Sequence, residues 1–280
     1  MEFVDGSSLL KLLQERPFGQ QEAVRLTAGL VSGISHLHRF RVLHRDIKPA
    51  NVMLAGLIPK IGDFGSAAVL AEGVESVCAS KHSALYVPPE GWLDDSTYTA
   101  RSDVYQAGMV LYELVNGPLE YTLEHYVTKS VRRELIKSGT RFEGLDDFER
   151  SRAADRGLRE LSSKHALLEY GRAPQPYLSK ELRRLIRKAT AADPEKRFAS
   201  AEEFLAKLNV TCVPNWFPLT EGHFAPRWQG WDWRVEERKK RSGSVILLTR
   251  SRPGSGAFRR PQNQQFSTLE ECFDWVESSR

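Results

Sequence analysis

His44-Arg45-Asp46-Ile47-Lys48-Pro49-Ala50-Asn51, followed by Asp63-Phe64-Gly65, is the stretch on which the reading of this chain turns. It brings a carboxylate, an ammonium, an amide and a second carboxylate into close succession. The runs around them, Arg41-Val42-Leu43, Val52-Met53-Leu54 and Pro59-Lys60-Ile61, read as short strands separated by polar loops.

Upstream, Ser7 or Ser8 can cap a short helix over Leu9-Leu10-Lys11-Leu12-Leu13, which Pro17 to Gly19 break. Val24, Leu26, Leu30, Val31, Ile34 and Leu37 recur at roughly the helical period, giving a long amphipathic helix over 20–40. Downstream, residues 66–85 lack a period and are rich in small side chains, the pattern of a flexible loop. A helix apolar all round, and therefore buried, is expected over 103–114. Residues 118–172 are densely charged and read as one or two solvated helices. Amphipathic helices over 179–191 and 200–208 flank Asp193-Pro194.

Composition shifts after about residue 210, since five of the six tryptophans lie beyond it. Trp233 to Glu237 and Val245 to Thr249 suit a hairpin across the basic turn Arg238 to Ser244. Ser267-Thr268-Leu269-Glu270 reads as a capping box opening a final helix. This tail is expected to be a separate small α+β module, residues 210–280.

The chain has 280 residues, is 41% hydrophobic and 27% charged, and carries a net charge of +4, which excludes wholesale disorder and does not call for nucleic acid. Cys78, Cys212 and Cys272 are odd in number and far apart, so reduced thiols are expected rather than a disulfide scaffold or zinc site. The seven histidines make no metal pattern. The N-terminus lacks a signal-peptide pattern, and the best apolar run, Gly108 to Val115, is too short to span a bilayer. A soluble, cytoplasmic protein with no membrane partner is expected.

The chemistry that fits the central stretch is phosphoryl transfer, where positioning and charge neutralisation dominate. Asp46 suits the carboxylate that orients a hydroxyl nucleophile and takes its proton. Lys48 suits the cation near the transferred group, and Asn51 and Asp63 suit oxygen ligation of magnesium. In order and spacing the two clusters resemble the catalytic loop and the metal-binding motif of eukaryotic-like (Hanks-type) protein kinases, with Lys48 in the serine/threonine form.

The resemblance extends along the chain. Tyr86-Val87-Pro88-Pro89-Glu90 resembles the end of the activation segment, with Pro88 where alanine is usual. Ser102 to Gly108 resembles the start of the buried central helix, whose Asp103 would hold the catalytic-loop backbone. Asp193 to Phe198 resembles the segment whose arginine, Arg197, pairs with Glu90. His44, Arg45, Phe64 and Gly65 complete the motifs. Arg45 marks the subtype in which a loop phosphate can pair with the arginine. Ser66, Ser76 and Ser80 are candidate acceptors, and Ser83 aligns with the hydroxyl that contacts the catalytic aspartate. Met1 to Gly6 resembles the hinge between lobes, implying that Glu2 and Val4 bond the adenine through their backbones. Asp5 would lie near the ribose, Met53 beneath the purine, and Lys48, Asn51 and Asp63 at the phosphate end.

The resemblance therefore implies a mainly α fold: a protein-kinase-like C-lobe over 1–209, followed by the small α+β C-terminal module. It implies a serine/threonine kinase acting on protein substrates with ATP and Mg2+. No GxGxxG occurs in the chain, and Gly254-Ser255-Gly256 reads as an ordinary turn. With the glycine-rich loop, the strand lysine and the N-lobe unassigned, a truncated catalytic domain, weak or inactive alone, is expected. A non-catalytic pseudokinase-like scaffold, or one half of a split kinase completed by a separate N-lobe polypeptide or regulatory partner, are the alternatives. The basic residues from Arg238 to Arg260 read as a solvated turn and surface rather than a nucleic-acid site, being diluted by Glu236, Glu237, Glu270, Glu271 and Asp274.

Overall fold

The computed structural model describes residues 6–79, 83–218, 222–240, 243–261 and 264–279. Strand β1 (Ser7–Ser8) leads into α1 (Leu9–Glu15), capped by the Ser8 hydroxyl accepting from Lys11 N at 3.3 Å. Helix α2 (Gln20–Arg39) follows and buries one stripe, including Leu26, Leu30, Val31 and Ile34. Strand β2 (Val42–Leu43) is followed by the hairpin of β3 (Val52–Ala55) and β4 (Ile58–Ile61), with β1 on the other edge of β3. This small sheet carries residues 44–51 and 63–65 on its flanks.

The stretch read as a flexible loop is anchored more firmly than its composition suggests. β5 (Ala68–Val69) pairs with β2, and β6 (Val77–Cys78) pairs with β7 (Thr97–Tyr98). The Arg41 guanidinium also donates to the carbonyls of Leu70, Ala71 and Val74. Such partners are distant in sequence and leave no local pattern.

Helix α3 (Ala100–Asn116) is the axle of the fold: every residue from Ser102 to Asn116 is buried. A Thr99–Ser102 capping box opens it, and Gly117, at φ 91°, closes it in backbone geometry that glycine tolerates. α2, α7 (Lys180–Ala189) and α8 (Ala201–Val210) pack around it. The charged stretch contains three helices rather than one or two: α4 (Lys129–Lys137), α5 (Asp147–Ser163) and α6 (Leu167–Gly171). Their charges face water, but Val131, Leu135, Phe142 and Ala153 form a small core of their own.

Beyond α8, β8 (Phe217–Pro218), β9 (His223–Trp228), β10 (Trp231–Lys240) and β11 (Gly243–Ser251) form an antiparallel sheet in the order β11-β10-β9-β8. The hairpin strands are longer than the sequence reading allowed, and β8 and β9 were not anticipated. Helix α9 (Leu269–Ser278) covers one face, its Cys272, Phe273 and Val276 meeting Trp216, Trp233, Val235 and Leu248. The capping box sits one residue later than read: Thr268 and Glu271 exchange it, with Glu271 N donating to Thr268 Oγ1 at 3.1 Å. Gly254 and Gly256 lie at φ 82° and 67°, a turn as expected.

Candidate functional site

Asp103 sits in the first turn of α3 with no exposed surface, so its carboxylate must find donors within the protein. It takes three: His44 N at 2.9 Å, Arg45 N at 2.8 Å and His38 Nε2 at 2.8 Å. Gln106, one turn further on, accepts from Ile47 N at 2.9 Å and donates to the carbonyls of Arg45 and Tyr86. The backbone of 44–47 is thus clamped by two buried side chains of one rigid helix. Arg45 is held there at φ 66°, a conformation a non-glycine residue adopts only under such restraint.

The clamp presents Asp46. Its Oδ2 accepts from Lys48 Nζ at 2.8 Å and Asn51 Nδ2 at 3.0 Å, and Lys48 Nζ also reaches Ser83 Oγ at 2.6 Å. Burial is the largest single influence on the Asp46 carboxyl and pushes its pKa up. Hydrogen bonds from Lys48, Ser83 and Asn51, with the Lys48 charge, together outweigh burial and hold it below the usual aspartate value. Asp46 is therefore a carboxylate at neutral pH.

Asp63, at φ 56°, opens a short turn in which its Oδ1 accepts from Gly65 N at 3.3 Å, and its side chain is exposed. His44 joins the two motifs: Nε2 contacts Gly62 O at 3.0 Å, and the ring packs edge-on against Phe64 at 5.2 Å. Arg45 places its guanidinium on the carbonyls of Ser66 and Cys78, which draws the following segment in. Ser66 is buried, and Ser80 lies outside the described residues. So do Glu2, Val4 and Asp5. Met53 is half-buried on β3, opposite Ser8 and Lys60.

Further out, Arg197 and Glu90 meet in a two-pronged pair at 2.6 and 2.8 Å, with the Arg197 side chain fully buried. Ser102 Oγ donates to the same carboxylate at 2.8 Å, and the remaining Arg197 donors go to the carbonyls of Ala191, Ala192 and Arg101.

His38, Gln106 and Glu113 were not singled out from sequence. Glu113 is buried and accepts from Tyr86 Oη at 2.5 Å, Tyr121 Oη at 2.7 Å and Leu119 N at 2.9 Å. The available signal was a polar residue inside an otherwise apolar helix, since such a group must be hydrogen-bonded.

The donors suit a hard divalent cation. Asn51 spends its amide nitrogen on Asp46 O and Oδ2, which leaves its oxygen as acceptor, and Asp63 is exposed, its Oδ1 accepting from Gly65 N. Among the described residues no cluster of three or more His, Cys, Asp or Glu could hold a metal. A site for magnesium draws its other ligands from phosphate and water, so it needs no such cluster. No described helix is long and apolar enough to cross a membrane.

A carboxylate-centred loop is thus clamped to a buried helix, and His44 ties it to the turn that carries a second, exposed carboxylate. The model of the protein kinase domain matches residues 1–208, and the chain belongs to that family, in its eukaryotic-like (Hanks) type. It is 31% identical over 216 residues to the serine/threonine-protein kinase PknB of Mycobacterium tuberculosis, covering 74% of this chain and 29% of that one. It is 37% identical over 119 residues to the serine/threonine-protein kinase Nek3 of Mus musculus, covering 41% of this chain and 23% of Nek3. It is 31% identical over 206 residues to the serine/threonine-protein kinase GIN4 of Saccharomyces cerevisiae, covering 72% and 15%. The chain thus spans less than a third of the length of these relatives.

Proposed function

We propose that the chain transfers the γ-phosphoryl group of ATP to serine or threonine hydroxyls of protein substrates. The observation that carries this reading is the Asp46–Lys48–Ser83–Asn51 cluster, hung from α3 by Asp103 and Gln106. Asp46, ionised and aimed by two donors, orients the attacking hydroxyl and takes its proton. Lys48, between Asp46 and Ser83, offsets negative charge on the group in transfer. Asn51 and Asp63 would hold magnesium, which when bound neutralises the nucleotide phosphates. Glu2, Val4, Asp5 and Met53 are assigned to the nucleotide's base and sugar, and residues 1–209 to the catalytic part as its large lobe. Residues 210–280 are assigned to an accessory α+β module.

The chain contains no GxGxxG loop to cover the phosphates. We assign that part of the site to polypeptide beyond these residues, on the same or a partner chain, and expect residues 1–280 alone to turn over weakly. The test is radiolabel transfer from ATP to a generic protein substrate with magnesium, by these residues and by any longer form. Asp46→Asn should lower the rate by about 10²–10⁴-fold, the range for a lost general base. A rate unchanged in Asp46→Asn would sink the catalytic assignment. Robust transfer by 1–280, abolished in the variant, would sink only the expectation of weakness.

A further inference from the structure

The segment after β11 folds back onto it: Arg250 and Arg259 exchange both backbone hydrogen bonds, each 2.9 Å long. Residues paired in this way stand directly opposite one another, their side chains on the same side of the ladder, where like charges are destabilising. Arg252, two residues beyond Arg250, shares its side by the strand period. These three and Arg260 line one cavity of about 350 Å³ with Trp231 and Ser255. No carboxylate is among its lining residues.

The charges are not offset internally. None of the four arginines forms an ion pair among the described residues, whereas Arg238 on the same sheet is paired with Glu236 at 2.9 Å. The guanidinium carbons of Arg250 and Arg252 lie 4.2 and 4.0 Å from the centre of the Trp231 ring, which holds both planar groups in place. Four cations around one concavity, opposed pair included and two of them held on Trp231, are a receptor for a compact, multiply charged anion. Guanidinium forks match phosphate oxygens in pairs.

We propose that this cavity binds phosphoserine or phosphothreonine within a polypeptide segment, a second site distinct from that of phosphoryl transfer. The choice of a phosphorylated polypeptide rests in part on the kinase reading above, since the same chain would make that group. Two observations weigh against nucleic acid. The face of Trp231 is taken by two guanidiniums, leaving it poorly placed to stack a base. Glu236 and Glu237 on β10 also interrupt the basic track that a phosphodiester backbone would follow.

The test is fluorescence anisotropy of the full chain with a short, labelled alanine–glycine peptide carrying one phosphoserine, at physiological salt. Binding of this peptide and not of its unphosphorylated form is expected. Arg259→Glu, at an exposed position, should weaken it roughly 10–100-fold, the worth of one or two lost charge-assisted bonds. Arg259→Lys should also weaken it several-fold, because lysine keeps the charge and loses the fork. Circular dichroism confirms that each variant is folded. Unchanged affinity in Arg259→Lys would mean diffuse attraction and overturn the proposal. So would inorganic phosphate competing as well as the peptide, or a single-stranded oligonucleotide binding where the peptide does not. Failure of every probe to bind overturns it too. Because the peptide is synthetic, binding together with a transfer rate unmoved by Asp46→Asn sinks the kinase reading alone, and transfer lost in that variant without peptide binding sinks this one alone.

Discussion

Asp46 loses most of its contact with water, and burial alone would raise its pKa; the ammonium and hydrogen bonds around it reverse the sign. Glu113 shows the opposite outcome. Burial dominates there and raises its pKa despite hydrogen bonds from Tyr86, Leu119 N and Tyr121, with no cation among the described residues to offset it. The linkage follows from the sign. A carboxyl whose folded pKa is raised contributes stability that is fully present below its ordinary value, here 4.5, and is eroded as pH rises through the folded value. Glu113→Gln keeps an acceptor and removes the titration. The stability of the parent relative to this variant should therefore fall as pH rises above 4.5. Urea midpoints over a pH series check this, and a gap independent of pH would contradict it. Glu113→Ala leaves Leu119 N and one of the Tyr86 and Tyr121 hydroxyls, which also bond each other, without an acceptor and should cost at least ~1–3 kcal/mol more than the glutamine variant. Sequence could mark Glu113 only as a polar residue in an apolar helix; its partners, Tyr86 before α3 and Leu119 and Tyr121 after it, leave no local pattern. Asp46, Lys48 and Asn51 were legible as a group because they lie within a few residues of one another, and hydrogen bonds join them in the structure.

Among elements, α3 was legible because a helix apolar on all sides has only one place to go. The segment 66–79 and the three helices between 129 and 171 were not, since charge density marks the wet face and says little of the buried one. The tie between the short helical turn at Pro89–Trp92 and the segment before α8 rests on the buried Arg197–Glu90 pair. Arg197→Ala leaves the Glu90 carboxylate without its cation and should lower unfolding free energy by about 3–5 kcal/mol. Arg197→Lys should recover little, having no fork for two oxygens. The double variant with Glu90→Ala should cost less than the sum of the single ones, as chemical denaturation would show. Strict additivity would mean the pair is not coupled. Helix α5 offers a test of close packing. Alanine is the better helix former than glycine by ~1 kcal/mol. Yet a Cβ on Gly157 would lie 1.8 Å from Tyr126 O, an overlap with backbone that cannot swing aside. Gly157→Ala should therefore destabilise, and a raised melting temperature would refute the close approach.

At the scale of the whole molecule, the α+β part is docked on the helical part through polar contacts as well as apolar ones. Gln21 Nε2 donates to Val213 O at 2.9 Å. Gln21 N donates to Asn215 Oδ1, and Lys180 pairs with Asp274 at 2.9 Å. Tyr177, from the helical part, belongs to the apolar cluster of Trp216, Trp233 and Phe273. Separating the two parts would uncover these groups, so they should unfold together. Tryptophan fluorescence reports chiefly on the tail, and far-ultraviolet dichroism on the helices. Their denaturation curves should coincide, and two resolved transitions would show independent units. The sequence alone determined the main helices and the close spacing of Asp46, Lys48 and Asn51 in the central stretch, because these depend on neighbours a few positions away. The tertiary structure alone decided which buried groups hold that stretch, and how the tail is seated. Gln20 and Tyr177 lie 157 residues apart, as do other long-range partners on separate elements. A polar side chain carries no local mark of such a partner; only the folded core removes water and obliges it to find one.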